Sequence, residues 1–251
     1  MKNILVRADD LGYSKGINYG IYESVHRGLI NNVGFMVNML DSLHGYELIK
    51  NEQVDLGLHT VICAGRPLTD PKLIPSLVTS SGEFKSSKVY RSAKEDFVVL
   101  EEVLLEIEAQ YLRFVEITGR KPDYFEGHAV ESINFIEGMK LIAQKYEIPF
   151  LEFSFSKETI LFKNTTLRPL MYSHLPNYQP KKILFDLITS NQNKKSIPML
   201  ICHPGYLDEY ITMHSSLLQP RMYEVEMACD NQLIKLANQY RVRFVRYSEL
   251  P

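Results

Sequence analysis

The stretch Ile4-Leu5-Val6-Arg7-Ala8-Asp9-Asp10-Leu11-Gly12 decides the fold class. Strand-forming residues from Ile4 to Ala8 run straight into two adjacent carboxylates and a Leu-Gly turn, and a helically spaced segment from Ile17 to Arg27 follows. That is the signature of a βα unit, and it recurs along the chain. Short apolar or β-branched runs at Val33 to Val37, Val54 to Leu58, Tyr124 to Glu126, Pro149 to Phe153, Pro198 to Cys202 and Val242 to Val245 bring the predicted strands to seven. Helical spacing marks Ser132 to Tyr146, Arg221 to Tyr240 and, most clearly, Lys94 to Thr118, where Leu100, Leu104, Ile107, Tyr111 and Phe114 form an apolar stripe. Strands alternating with helices predict a parallel sheet. Seven of them in one continuous α/β chain predict an irregular seven-stranded (β/α) TIM-like barrel, a single domain over residues 1–251. Long loops are expected at about 60–92 and 154–180, beyond the third and fifth strands, where such folds place substrate contacts.

Bulk composition narrows the partners. With 251 residues and 45% apolar content the chain can bury a full core. Its 28 basic and 30 acidic residues leave a net charge of -2, which gives no electrostatic reason to expect nucleic acid or an anionic membrane. A small-molecule substrate is the expectation. The three cysteines, Cys63, Cys202 and Cys229, have no Cys-x-x-Cys spacing, so neither a disulfide framework nor a thiolate zinc site is predicted, and a reduced, cytoplasmic setting follows. The N-terminal apolar run is too short for a signal peptide, and no stretch is apolar enough to span a bilayer.

Chemistry collects at the predicted strand ends. Asp9 and Asp10 follow the first strand, His59 the third, His128 the fourth and His203 the sixth. In a parallel barrel these ends share one rim, so residues far apart in sequence converge. Each has a plainer explanation when taken alone: an Asp-Asp pair before Leu-Gly suits a turn, Ser14 suits a helix cap, and a single histidine suits a backbone-satisfied rim position. All those explanations must hold together for the rim to be inert. One carboxylate and two neutral imidazoles suit a divalent metal, a neighbouring carboxylate suits a general base, and a further histidine suits protonation of a leaving amine. Mixed oxygen and nitrogen ligation admits Mg, Mn, Zn or Co.

The opening from Arg7 through Asp9-Asp10-Leu11-Gly12-Tyr13-Ser14-Lys15-Gly16 resembles the signature start of the YdjC-like carbohydrate deacetylases, which include chito-oligosaccharide deacetylases. Gly57-Leu58-His59 is similar to the family's Gly-x-His, Cys202-His203-Pro204-Gly205 to its late His-Pro element, and Pro220-Arg221 with Glu224 to its closing segment. The likeness extends over nearly the whole chain. It implies a barrel-like fold and a hydrolase acting on carbon–nitrogen bonds other than peptide bonds. The expected reaction removes the N-acetyl group of amino sugars, chitobiose, chito-oligosaccharide or the 6-phosphate, and releases acetate. It further implies that Asp10, His59 and His128 hold a divalent ion, magnesium first, that Asp9 is the general base and His203 the general acid, that Arg168 binds substrate, and that the protein forms a homodimer. One departure stands out. The family continues its fourth strand with further histidines, whereas this chain reads Glu126-Gly127-His128-Ala129-Val130-Glu131. That keeps two alternatives open: a sugar-binding or regulatory protein of the same fold, and a metal-dependent hydrolase of another bond.

Overall fold

Alternation along five strands positions the site. In β1 (Lys2–Leu11), Ile4, Val6 and Ala8 belong to one apolar core and Leu5 to another, so the strand's even and odd residues face opposite sides. Arg7 and Asp9 share the side of Leu5. The computed structural model, which describes residues 2–152, 157–190 and 195–251, repeats this parity in β2 (Asn32–Phe35), β3 (Asp55–Thr60), β4 (Phe125–Gly127) and β7 (Ile197–Cys202). Leu56 and Leu58 of β3, Phe125 of β4 and Leu200 and Cys202 of β7 pack in the outer core. His59, Glu126 and His203 are therefore left to the inner side, because a one-residue slip would bury the wrong face of every strand.

Hydrogen-bonded neighbours run β4-β3-β2-β1-β7-β6-β5, with β5 (Ile160–Phe162), β6 (Thr165–Leu170) and a short β8 (Val242–Phe244) paired to the start of β1. Every ladder is parallel except β5 with β6. The helices are α1 (Lys15–His26), α2 (Ser42–Ile49), α3 (Ser87–Ser92), α4 (Leu100–Thr118), α5 (Ile133–Lys145), α6 (Pro180–Thr189), α7 (Glu209–His214), α8 (Gln219–Ala228) and α9 (Asn231–Gln239). The outer core lies between these helices and the sheet. The inner core shows that the sheet curls: the Tyr247 ring lies 4.2 Å from that of Tyr124, beside β4, and 5.0 Å from that of Phe162 in β5, at the far end of the strand path. No described helix is long and apolar enough to cross a membrane.

The sheet is curled and barrel-like, in line with the expected irregular barrel, and no ladder joins β4 to β5 among the described residues. The predicted fifth strand, Pro149 to Phe153, reduces to a bridge between Phe150 and Phe125, and Phe153 lies outside the described residues. The segment expected to be loop at 154–180 holds instead the β5–β6 hairpin, turning at Lys163 and Asn164, with Lys163 at a positive φ of 49°. Pro169 in β6 obscures this in the sequence, because proline lacks a ladder donor and usually marks a strand's limit. The 60–92 segment is mostly irregular, with α3 at its end. Two predicted helices are shortened. Residues before Leu100 are pinned by the Asp96 carboxylate, which accepts from Ser132 Oγ and the Val98 amide. The Arg221–Tyr240 helix divides at Asp230, whose side chain caps α9 by accepting from the Gln232 and Leu233 amides.

Candidate active site and metal centre

Two consecutive strand residues normally point to opposite faces. Asp10 departs from that rule: its φ is 78°, and the β1–β2 register shifts between Ala8 and Leu11. This bulge aims both the Asp9 and Asp10 carboxylates into one site, and a non-glycine residue held at positive φ is strained backbone of a kind that accumulates at functional positions. Gly34 in β2 keeps the space open. A Cβ there would lie 3.0 Å from Asp9 Oδ1 and 3.1 Å from Glu126 Oε1.

Asp10 Oδ1, His59 Nε2 and His128 Nδ1 converge. Asp10 Oδ1 stands 3.4 Å from His59 Nε2 and 3.3 Å from His128 Nδ1, and the two nitrogens are 3.0 Å apart. A divalent ion sits about 2.0–2.2 Å from such donors, so three of them arranged around it stand roughly 3.0–3.4 Å from one another. The spacing fits. Asp10 Oδ1 is also buried without a well-formed hydrogen bond, as a ligand atom awaiting a cation would be. His59 Nδ1–H donates to Glu126 Oε1, which turns Nε2 toward the cluster and is the outer-shell arrangement metal-bound imidazoles commonly have. Asp10's other oxygen accepts from Arg221 Nη2 at 2.8 Å.

Charge balance explains the protonation pattern. Burial would raise the Asp10 carboxyl, but the Arg221 guanidinium and the imidazoles of His128 and His59 facing it hold it well below the usual carboxylate range. Burial would lower His59, yet Glu126 and Asp9 raise it to about 9. His128 is also raised, against its burial, by Cys63 and Asp10. Asp9, Asp10 and Glu126 bring three negative charges against the two guanidiniums of Arg7 and Arg221, all nearly inaccessible, which leaves one negative charge to balance. The raised imidazoles of His59 and His128 supply positive charge opposite these carboxylates.

Asp9 and His203 face the same cavity from other directions. Both Asp9 oxygens are held by Arg7, through Nε and Nη2 at 2.7 Å each. Arg7 also approaches Glu126 Oε2 at 3.5 Å and donates to the Tyr247 hydroxyl at 3.4 Å. His203 follows β7 directly. Its amide donates to Glu224 Oε2 at 2.6 Å, its carbonyl accepts from Arg221 at 3.3 Å, and its Nδ1 lies 3.5 Å from Ser173 Oγ. Burial lowers the His203 imidazole to about 4, and it raises the Glu224 carboxyl to about 7.

The cavity holds about 710 Å³ and is lined by Arg7, Asp9, His59, His128 and His203, with Asp10 behind them. Arg168 is elsewhere. Expected on a loop, it lies within β6 and opens on a second cavity of about 580 Å³ beside Tyr172 and Tyr178, which meets the first only through Leu175 and Pro176. Sequence reasoning missed Arg7, the partner of Asp9, and the buried role of Arg221. The signal for Arg7 was available: a charged residue two positions before Asp9 in a strand shares its face.

The YdjC-like protein family model matches residues 3–239. The chain belongs to the YdjC-like protein family. Among relatives of this family, a carbohydrate deacetylase of Clostridium beijerinckii is 30% identical over 255 residues, spanning 98% of this chain and 99% of that protein. A chitooligosaccharide deacetylase of Yersinia enterocolitica is 29% identical over 266 residues, spanning 99% of each. The fold matches a solved structure from Enterococcus faecalis, named for cellobiose-phosphate cleavage, with a TM-score of 0.81 at 21% identity, over 98% of this chain and 97% of that one.

Proposed function

We propose that this chain is a metal-dependent carbohydrate deacetylase that hydrolyses the N-acetyl group of amino sugars of the chito-oligosaccharide type and releases acetate. The observation that carries the reading is the convergence of Asp10, His59 and His128 at ligand spacing beside a second, separately held carboxylate. Asp10, His59 and His128 would hold the ion, which when bound supplies polarisation of the amide carbonyl and a more acidic water. Asp9, fixed in orientation by Arg7, takes the proton of the attacking water. His203 delivers a proton to the leaving nitrogen. Because burial holds its imidazole near 4, His203 is neutral at neutral pH, and its proton is acquired within turnover rather than carried in. Magnesium remains the first metal to test. Homodimer formation and a cytoplasmic location remain parts of the same reading.

A two-metal hydrolase of phosphoesters is disfavoured by Arg7. The second possible ligand set, Asp9, His59 and Glu126, shares His59 with the first, and the Arg7 guanidinium already lies against both of its carboxylates. A fixed side-chain cation thus occupies the place a second ion would need. The test is acetate release from N,N'-diacetylchitobiose and its 6-phosphate with Mg, Mn, Zn or Co added. Asp9→Asn is expected to keep the metal and lose about 10²- to 10⁴-fold in kcat. Absence of release under every metal contradicts the reading.

A further inference from the structure

The cavity before the metal cluster is larger than an acetyl group needs, and its chemistry changes with depth. At about 710 Å³ it falls in the range of sites for drug-sized ligands. Apart from the metal and proton-transfer groups and Arg7, which is held against Asp9, its described polar side chains are Arg91, Glu131, Ser173, His174 and Ser216. Ser173 is buried against His203, and the other four are exposed at the mouth. The deep wall is apolar: Val130, Met139, Leu151 and Ile201 are buried, with Phe150 and Met171 half-buried beside them. Val130 and Met139 come from the outer core and Leu151 and Ile201 from the inner one, so the chamber opens where the two cores meet.

Sugar hydroxyls buried without hydrogen-bond partners are costly, whereas alkyl groups gain from burial. The ring is therefore suited to the polar mouth. With the amide at the metal cluster, the other substituent of the carbonyl is directed at the apolar wall. We propose that this site hydrolyses amino sugars N-acylated with chains longer than acetyl, housing the alkyl chain against Met139, Leu151 and Met171. The proposal rests on the deacetylase reading and extends it to the acyl group. The bond cleaved is the same: water's oxygen joins the carbonyl carbon, the carbon–nitrogen bond breaks, the nitrogen takes a proton and leaves as the amine, and the chain departs as its carboxylate.

Glucosamine N-acylated with acetyl, butanoyl, hexanoyl or octanoyl groups, offered to the metal-loaded protein with amine release as the readout, tests this directly. The expected result is a kcat/KM that rises by roughly two- to fourfold per added methylene until the chamber is full. Ile136→Phe, in α5, and Met171→Phe, just after β6, both lining the chamber, are each expected to lower the hexanoyl-to-acetyl ratio at least about tenfold, with thermal unfolding checked for both. Hexanoate is expected to bind more tightly than acetate by calorimetry, a readout independent of turnover. Cleavage of the acetyl substrate with a loss at every added methylene overturns the proposal and leaves the deacetylase reading standing. Cleavage of none of the four beside cleavage of N,N'-diacetylchitobiose overturns the proposal alone, and failure on chitobiose as well overturns both.

Discussion

Two histidines of one cavity stand in opposite states. On the β3–β4 side, His59 sits among Asp9, Asp10 and Glu126 and is raised to about 9. On the β7–α8 side, His203 has Ser173 rather than a carboxylate at its ring Nδ1, and burial outweighs the pull of Asp10 and Asp9 and lowers it to about 4. His59 is buried and His203 half-buried, so burial alone, which is greater at His59, does not set the difference. The carboxylates around His59 outweigh desolvation, and the same excess negative charge suits that side to a cation. His203, held through its backbone by Glu224 and Arg221, keeps its ring nitrogens available to substrate. The contrast teaches that the strand ends supply imidazoles at several points of one rim, while the neighbouring charges set their protonation states apart; on the proposed reading this divides them between metal binding and proton transfer.

The largest expected effect breaks the comparison outright. His203→Ala is expected to retain one bound metal while kcat falls about 10²- to 10⁴-fold, and His59→Ala to lose the metal. Equal loss of metal in both variants would dissolve the distinction between the two sides. The proton on His59 gives the next effect. In the metal-free protein His59 stays protonated up to about pH 9 and His128 is raised as well, and metal-ligating imidazoles must be neutral, so affinity rises with pH by at least about tenfold per unit up to about pH 9. Calorimetric titration across pH 7 to about 9 measures the slope, and a flat profile contradicts the assigned charge state. The same raised pKa implies a stabilising contribution in the metal-free protein that is present below the ordinary histidine value and lost as pH climbs through about 9. Glu126→Gln is a smaller perturbation. It removes the charge behind His59 without removing a ligand, and metal affinity is expected to fall about 10- to 100-fold.

Much of this arrangement was legible in the chain itself. Asp9, Asp10, His59, His128 and His203 could be placed on one rim because each lies at or just beyond the end of an apolar strand, and parallel strands align their ends. What could not be read was the support. The strand period places Arg7 on the face of Asp9, but only the curl of the sheet brings Glu126, from mid-chain, and Tyr247, near the C-terminus, to it. Arg221 contacts Asp10 across 211 positions, a pairing no local pattern encodes. The bulge at Asp10 depends on register with β2, and the β5–β6 hairpin was hidden by Pro169 and its short strands. Local periodicity predicts which face a side chain takes, whereas closure of the sheet decides which faces meet.

The most direct test of the central claim is titration of metal-stripped protein with a divalent ion while acetate release from N,N'-diacetylchitobiose is followed at each addition. A single ion held by Asp10, His59 and His128 predicts no release from the stripped protein and activity that climbs to a plateau at one equivalent. Release undiminished by stripping, or activity that appears only after a second equivalent, would contradict it.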